Sequence, residues 1–205
     1  MRREVKRAVD TINRGAESPE WQSVRDIPGL PFDTFEELQA AVRAKSFNMG
    51  VHPLAAAEWS NRFNTRLNKI ITASLSILLV VAALAAVVAA FVIPDYWLLT
   101  ALPAQAIAFY VSHPASPLRK WVTVAGAASV AVFVNLLFNG STTAATVVAY
   151  AGLTFAAVRA AGFISNSCFR KAILADEGMF LTAFASRLCT LRNNQTERVY
   201  MAKRV

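Results

Sequence analysis

The chain has little charge, few cysteines and few histidines, and each shortage excludes a class of protein. Only 17% of its 205 residues are charged and 55% are hydrophobic, whereas average soluble chains carry about a quarter charged residues. This composition excludes a disordered chain and an ordinary soluble enzyme. Two cysteines are too few for a secreted disulfide scaffold. The two histidines, His52 and His113, have no cysteine or carboxylate at the spacing of a metal site.

Charge is scarcest in the middle of the chain. The charged residues between positions 70 and 169 are Asp95, Arg119, Lys120 and Arg159. A run of about 18 or more apolar residues without charge is typical of a membrane-spanning helix, and the block 70–93 is longer than that. The sequence therefore predicts a polytopic membrane protein.

Turn signals divide the apolar region into four spans. Prolines end the first and second apolar blocks, and Asn139-Gly140 interrupts the long uncharged run that follows. We therefore predict an all-α fold with four transmembrane helices in two hairpins. The predicted spans are 70–93, 96–112, 121–138 and 142–163. Residues 1–69 and 164–205 flank this four-helix region.

The positions of lysine and arginine in the short loops predict the orientation of the spans. They precede the first span, occupy the loop between the second and third, and follow the fourth, while the other two turns have none. Both termini are therefore expected on the cytosolic side, or on the matrix side of an organelle membrane. With Arg159, whose side chain is expected to snorkel to the headgroups, these cations are candidate contacts for anionic phospholipids or partner subunits. They are Arg62, Arg66, Lys69, Arg119, Lys120, Arg170 and Lys171.

The two polar flanks are expected to form amphipathic helices without a core of their own. In the N-terminal arm, a capping box from Asp33 to Glu36 predicts one helix, and Pro53 begins a second that runs straight into the first span. The basic C-terminal tail places its apolar residues between 180 and 191 on one helical face. The arm has too few large apolar residues for an independent core. Both flanks are therefore expected to lie on the membrane surface, under the helix bundle or against a partner.

The sequence contains no recognisable catalytic motif. Gly-rich phosphate loops and the HExxH, CxxC and GxSxG patterns are absent, which predicts a non-catalytic protein without a cofactor or metal. Gln105 and Asn135 lie inside the spans and are expected to hydrogen-bond between helices, with the lining of a pore as the alternative. Asp95 is interpreted as a turn former. No dense run of like charge indicates a nucleic-acid partner.

Small residues recur at helical spacing in three of the spans. Such stripes let helix backbones approach closely, and close approach drives helix association in lipid. We expect them to pack against each other or against neighbouring subunits. The stripes comprise Ala82, Ala86, Ala90, Ala125, Ser129, Ala145, Ala149, Gly152 and Ala156.

Three short patterns add a resemblance. They are Trp21 and Asp26 followed by residues 35–47, Arg66-Leu67-Asn68 running to Pro94, and Ala125-Gly126 with Ser129 followed by residues 159–163. In this layout the chain resembles the prenylated Rab acceptor family, small four-span proteins with cytosolic ends. The resemblance implies action on prenylated small GTPases in membrane traffic. The chain departs from the family in some twenty extra residues, 48–65, and in having Arg159 where the family has a histidine.

Three functions are compatible with these features. We favour an accessory or adaptor subunit of a larger membrane complex, which acts by helix packing and by contacts with lipid or partner subunits. The second hypothesis is a trafficking or membrane-shaping factor of the Rab-acceptor kind with a small GTPase as partner. The third is a homo-oligomeric pore.

Overall fold

Helices make up most of the described chain. The computed structural model describes residues 9–10, 21–113 and 116–202, and it is 72% helical. The chain divides into two compact units. The terminal unit comprises residues 1–64 and 165–205, and the apolar unit comprises residues 65–164. This division differs from the three regions that the sequence predicts, because both polar flanks fall in a single unit.

Each unit has its own set of elements. In the terminal unit the elements are α1 Phe35–Arg43, β1 Phe47–Val51, α2 Pro53–Phe63, α7 Glu177–Ala185, β2 Cys189–Asn193 and β3 Val199–Tyr200. In the apolar unit they are α3 Arg66–Val92, α4 Ala101–Ser112 and α5 Val122–Phe138. The helix α6, Thr142–Ile173, begins in the apolar unit and ends in the terminal unit. Short 3-10 helices lie at Val24–Asp26, Tyr96–Thr100 and Pro117–Trp121.

Two nine-residue helices, α1 and α7, begin at side-chain caps. The Thr34 hydroxyl accepts a hydrogen bond from the backbone N–H of Glu37 at 3.2 Å, and the Asp176 carboxylate accepts one from Met179 at 2.7 Å. Both bonds satisfy N–H groups that the first turn of a helix leaves without partners. The predicted capping box is wrong by one residue, since Thr34 rather than Asp33 is the capping residue.

Both helices end in the same reversal, which leads directly into a strand. Lys45 and Arg187 adopt left-handed backbone conformations, with φ of 59° and 57°. Around them Ser46 N–H donates to Ala41 O at 3.1 Å and Leu188 N–H donates to Ala183 O at 2.8 Å. This bond pattern satisfies the last carbonyls of a helix and turns the chain away from the helix axis. Each motif is therefore a capped helix, a left-handed residue and a strand.

The two motifs meet through an antiparallel pair of strands. Met49 of β1 lies opposite Leu191 of β2, and both side chains are fully buried. β3 extends the sheet on the other edge of β2, with Leu191 opposite Tyr200. The prediction of an all-α fold is therefore wrong in this unit. The predicted tail helix ends at Ala185, and residues 189–193 alternate as a strand.

The terminal unit has a hydrophobic core to which both ends of the chain contribute. The aromatic rings of Trp59 and Phe169 lie 5.7 Å apart, and those of Phe35 and Phe180 lie 5.8 Å apart. The arm was expected to lack an independent core, and the core that it enters is shared with the C-terminal tail, because apolar residues distant in sequence combine. The largest fully buried side chains of this core are Phe169, Phe180, Phe184, Leu38, Met49, Ile173, Leu191, Val9 and Val24.

Hydrogen bonds also join the two ends of the chain. The Glu177 carboxylate accepts a bond from Val24 N–H at 3.0 Å, and the Gln39 side chain donates to Leu174 O at 2.7 Å. The Asn194 side chain donates to the Lys45 carbonyl oxygen at 2.6 Å. These bonds satisfy polar groups that packing removes in part from water.

The predicted continuous helix from Pro53 into the first span is interrupted. Pro53 does occupy the first turn of α2, as expected for a residue without an N–H group. Asn64 and Thr65 are extended, with ψ of 160° and 152°. The Thr65 hydroxyl accepts a bond from Asn68 N–H at 3.4 Å and caps α3. A new helix therefore starts at Arg66, because Thr65 is a helix-capping residue type.

Two helices of the described chain, α3 and α6, are long and apolar enough to cross a membrane. In each, only 11% of the most apolar window is buried inside the protein, whereas a core helix of a soluble protein is buried. The helix α5 is apolar but shorter. Length and composition thus identify two candidate spans.

Gly50 supplies a test of the strand pairing. A Cβ atom added to Gly50 would lie 2.7 Å from the Thr190 hydroxyl oxygen on the paired strand. We expect Gly50→Ala to lower the free energy of unfolding of the terminal unit by about 1–3 kcal/mol, and Thr190→Ala in the same chain to restore part of it. The measurement is maleimide labelling of the buried Cys189 against temperature, in a Cys168→Ala background. Asn48→Ala, at an exposed position of β1, is the control, and equal labelling curves for all variants would contradict the pairing.

Candidate functional site

Gln105 lies in an apolar groove between α3 and α4. Its side-chain amide donates a hydrogen bond to the Leu79 carbonyl oxygen at 2.9 Å, so it forms the bond between helices that was expected. The groove has a volume of about 740 Å³, and Thr154 of α6, fully buried, also lines it. The Thr154 hydroxyl donates to Tyr150 O at 2.9 Å. Both side chains therefore bond to backbone carbonyls, and the bond of Gln105 joins two helices.

Asn135 lies elsewhere and does not join two helices through the bond that it forms. Its side-chain oxygen accepts a bond from the Asn139 amide at 3.0 Å, and the site is exposed. The bond thus joins the end of α5 to its own cap. The structure does not bring Gln105 and Asn135 into one site.

Asp95 takes part in an arrangement that sequence reasoning did not predict. Its carboxylate accepts a hydrogen bond from the Thr143 hydroxyl, at the start of α6, and another from Trp97 N–H at 3.2 Å. The same residues line a pocket of about 370 Å³ whose other walls are Thr100, Ala144, Val147 and Val148. The turns after α3 and after α5 therefore meet. The predicted arrangement in two hairpins places both turns at the same end, and this is the sequence signal that could have indicated the contact.

Two of the small-residue stripes lie at helix contacts. Ala82, Ala86 and Ala90 are all buried along one face of α3. On α5 and α6, a Cβ atom added to Gly152 would lie 3.8 Å from the Cβ of Ser129. Ala125, one turn before Ser129, accepts a bond from its hydroxyl at 2.8 Å. These small side chains allow the backbones to approach closely.

The stripe of α6 is buried only in part. Ala145 is buried, but Ala149 and Ala156 are exposed. Thr154, which lies on the opposite side of the helix at 3.6 residues per turn, is fully buried. The expected packing of Ala149 and Ala156 therefore does not occur within the chain. Spacing defines a face, but the neighbouring helices decide which face is buried.

The predicted cations lie in different surroundings. Arg62, in the terminal unit, forms ion pairs with Asp10 and, at 3.0 Å, with Glu58. The Arg170 side chain is partly buried, and its Nε–H group donates no hydrogen bond among the described residues. The other cations divide by exposure. Arg66, Arg159 and Lys171 are exposed, Lys69 is half-buried, and Arg119 and Lys120 lie in the 3-10 helix 117–121 with only their backbone described.

Two side chains of the terminal unit have shifted pKa values. The backbone N–H groups of Ser23 and Gln22 donate to the Asp26 carboxylate at 2.8 and 3.0 Å, and these bonds lower its pKa. Burial raises the pKa of the Cys189 thiol. Cys189 is therefore held as a neutral thiol in the core.

Comparison with protein-family models, with curated proteins and with solved structures finds no match to this chain. Among the described residues, no three His, Cys, Asp or Glu side chains are grouped closely enough to hold a metal ion.

Gln105 and Asn135 form a matched pair for mutation. We expect Gln105→Leu to lower the free energy of unfolding by about 0.6–1 kcal/mol, because the bond to Leu79 joins two helices. Asn135→Leu should leave it unchanged within error, because its bond is local and exposed. Unfolding by SDS titration from a mild detergent measures both. Equal effects of the two substitutions would show that Gln105 contributes nothing specific.

Proposed function

We propose that the chain is a non-catalytic accessory or adaptor subunit of a larger membrane assembly. The observation that carries this proposal is the contrast between its two units. The terminal unit buries its own core, while the helices of the apolar unit leave large side chains exposed, up to 88% for Phe138. Exposed apolar surface of this extent requires lipid or partner helices to cover it.

The membrane is crossed four times in this proposal. The long helices α3 and α6 form the first and last spans, and the segments 96–112 and 122–138 form the middle two. A helix of 17 residues, such as α5, reaches about 26 Å, slightly less than the ~30 Å hydrocarbon core. Local thinning of the bilayer accommodates such a difference at small cost.

Both termini lie on the cytosolic or matrix side in this proposal. The turns on the other side contain Asp95 and no lysine or arginine, which agrees with the excess of positive residues in loops that are not translocated. The terminal unit is then exposed to the compartment that contains its partner proteins. The exposed cations Arg66 and Lys171 flank the apolar region and are available to anionic headgroups.

A structural role is favoured over catalysis by the use of the polar groups. The Gln105, Ser129 and Thr154 side chains all donate to backbone carbonyls, that of Gln105 on a neighbouring helix and those of Ser129 and Thr154 within their own helices. Intramembrane catalysis needs polar or ionisable groups that converge on one reacting atom. The subunit therefore acts by packing in this proposal.

Co-purification tests the proposed role. The full chain, tagged and extracted from its native membrane in mild detergent, is expected to carry other membrane subunits at fixed ratio in mass spectrometry. Recovery of a lipidated GTPase in one nucleotide state, without other subunits, would instead favour the Rab-acceptor hypothesis. Homo-oligomers that conduct ions in planar bilayers would favour a pore. Either of these results contradicts the subunit proposal.

Single cysteines test the topology. In a Cys168→Ala, Cys189→Ala background, Ser141→Cys lies in an exposed turn between α5 and α6, and Ser186→Cys lies at an exposed site of the terminal unit. A membrane-impermeant maleimide added to intact cells or sealed organelles is expected to label Ser141→Cys, and to label Ser186→Cys only after permeabilisation. The reverse pattern would contradict the orientation.

A further inference from the structure

We propose that the pocket formed by Asp95, Trp97 and Thr143 binds a quaternary ammonium group, such as the choline headgroup of phosphatidylcholine. The lipid as the source of this group follows from the proposed membrane location. The chemistry of the pocket is independent of any role as a subunit. The pocket lies where the turn after α3 meets the start of α6.

The charge of the pocket comes from Asp95. It is the one carboxylate in the sequence between positions 65 and 164. Each of its oxygens accepts a hydrogen bond from a neutral donor, Trp97 N–H on one and the Thr143 hydroxyl on the other. Among side chains that the structure describes, no cation forms an ion pair with it. Both bonds therefore leave the carboxylate without a described basic side chain as a partner.

Trp97 supplies an aromatic wall beside this charge. Its side chain lines the same pocket and is 76% exposed. The face of an indole ring attracts cations, and it is the strongest of the aromatic side chains in this respect. Recognition of quaternary ammonium ligands by aromatic side chains uses this attraction.

The remaining walls favour a methylated ammonium over a primary one. Ala144, Val147 and Val148 are apolar, and they suit methyl groups rather than N–H donors. Methyl groups on the ammonium gain by burial against these three side chains, and an ammonium that carries N–H groups instead does not. The volume of about 370 Å³ is at the lower end for ligand pockets and fits a headgroup.

Calorimetry on the full chain in maltoside detergent tests the site, with short-chain phosphatidylcholine as the probe. We expect tighter binding to phosphatidylcholine than to the phosphatidylglycerol or phosphatidylethanolamine of the same chain length. Asp95→Asn is expected to weaken binding at least tenfold, and Trp97→Ala about threefold to tenfold. Trp97→Phe should retain more affinity than Trp97→Ala. Tyr96→Ala, an exposed aromatic neighbour that does not line the pocket, is the control and should bind as the parent chain does.

Tetramethylammonium distinguishes the two sources of the cation. If tetramethylammonium displaces phosphatidylcholine, the ammonium group alone is sufficient for binding. If phosphatidylcholine binds and tetramethylammonium does not, binding requires the rest of the lipid as well. Both outcomes support the site if Asp95→Asn or Trp97→Ala weakens binding. Equal binding of the three lipids, or parental affinity in the Trp97→Ala chain, overturns it. Trp97→Ala keeps the test decisive if Asp95→Asn does not fold. Loss of co-purifying subunits with intact lipid binding would refute the proposed role and leave this site standing.

Discussion

The antiparallel pairing of β1 with β2 is the contact on which the terminal unit depends. It joins a strand that precedes the apolar region to one that follows it, and it places Met49 against Leu191 in the core. Closing so long a loop costs conformational entropy that grows only slowly with loop length. Burial of the aromatic side chains around the pair offsets that cost. The apolar hairpins are thereby an insertion within one folded unit.

The apolar unit obeys a different constraint, because the most apolar windows of α3 and α6 are only 11% buried inside the protein. Association of helices in lipid has no hydrophobic driving force, so it depends on close packing and on hydrogen bonds between helices. The buried alanines of α3 and the approach of Gly152 to Ser129 provide the close packing. The bond of Gln105 to the Leu79 carbonyl provides a hydrogen bond between helices.

Local sequence signals predict the structure correctly when each signal acts within one turn of the chain. Pro53, for example, begins a helix as expected. The same reasoning is wrong for the tail helix, since the alternation of residues 189–193 is short and its pairing partner is far away in sequence. It does not decide the packing of Ala149, which is exposed in the single chain, because a stripe of small residues does not say on which side the neighbouring helix lies.

The sequence by itself determined the apolar blocks, the scarcity of charge within them and the helix-capping positions near Thr34 and Pro53, since these depend on composition and on contacts between near neighbours. Only the tertiary structure decided that the two polar flanks share one core. It also decided that Asp95 meets Thr143 and Trp97 in one pocket. The physical reason is the same in both cases: these contacts join segments that are distant along the chain, and no local periodicity records which segments meet.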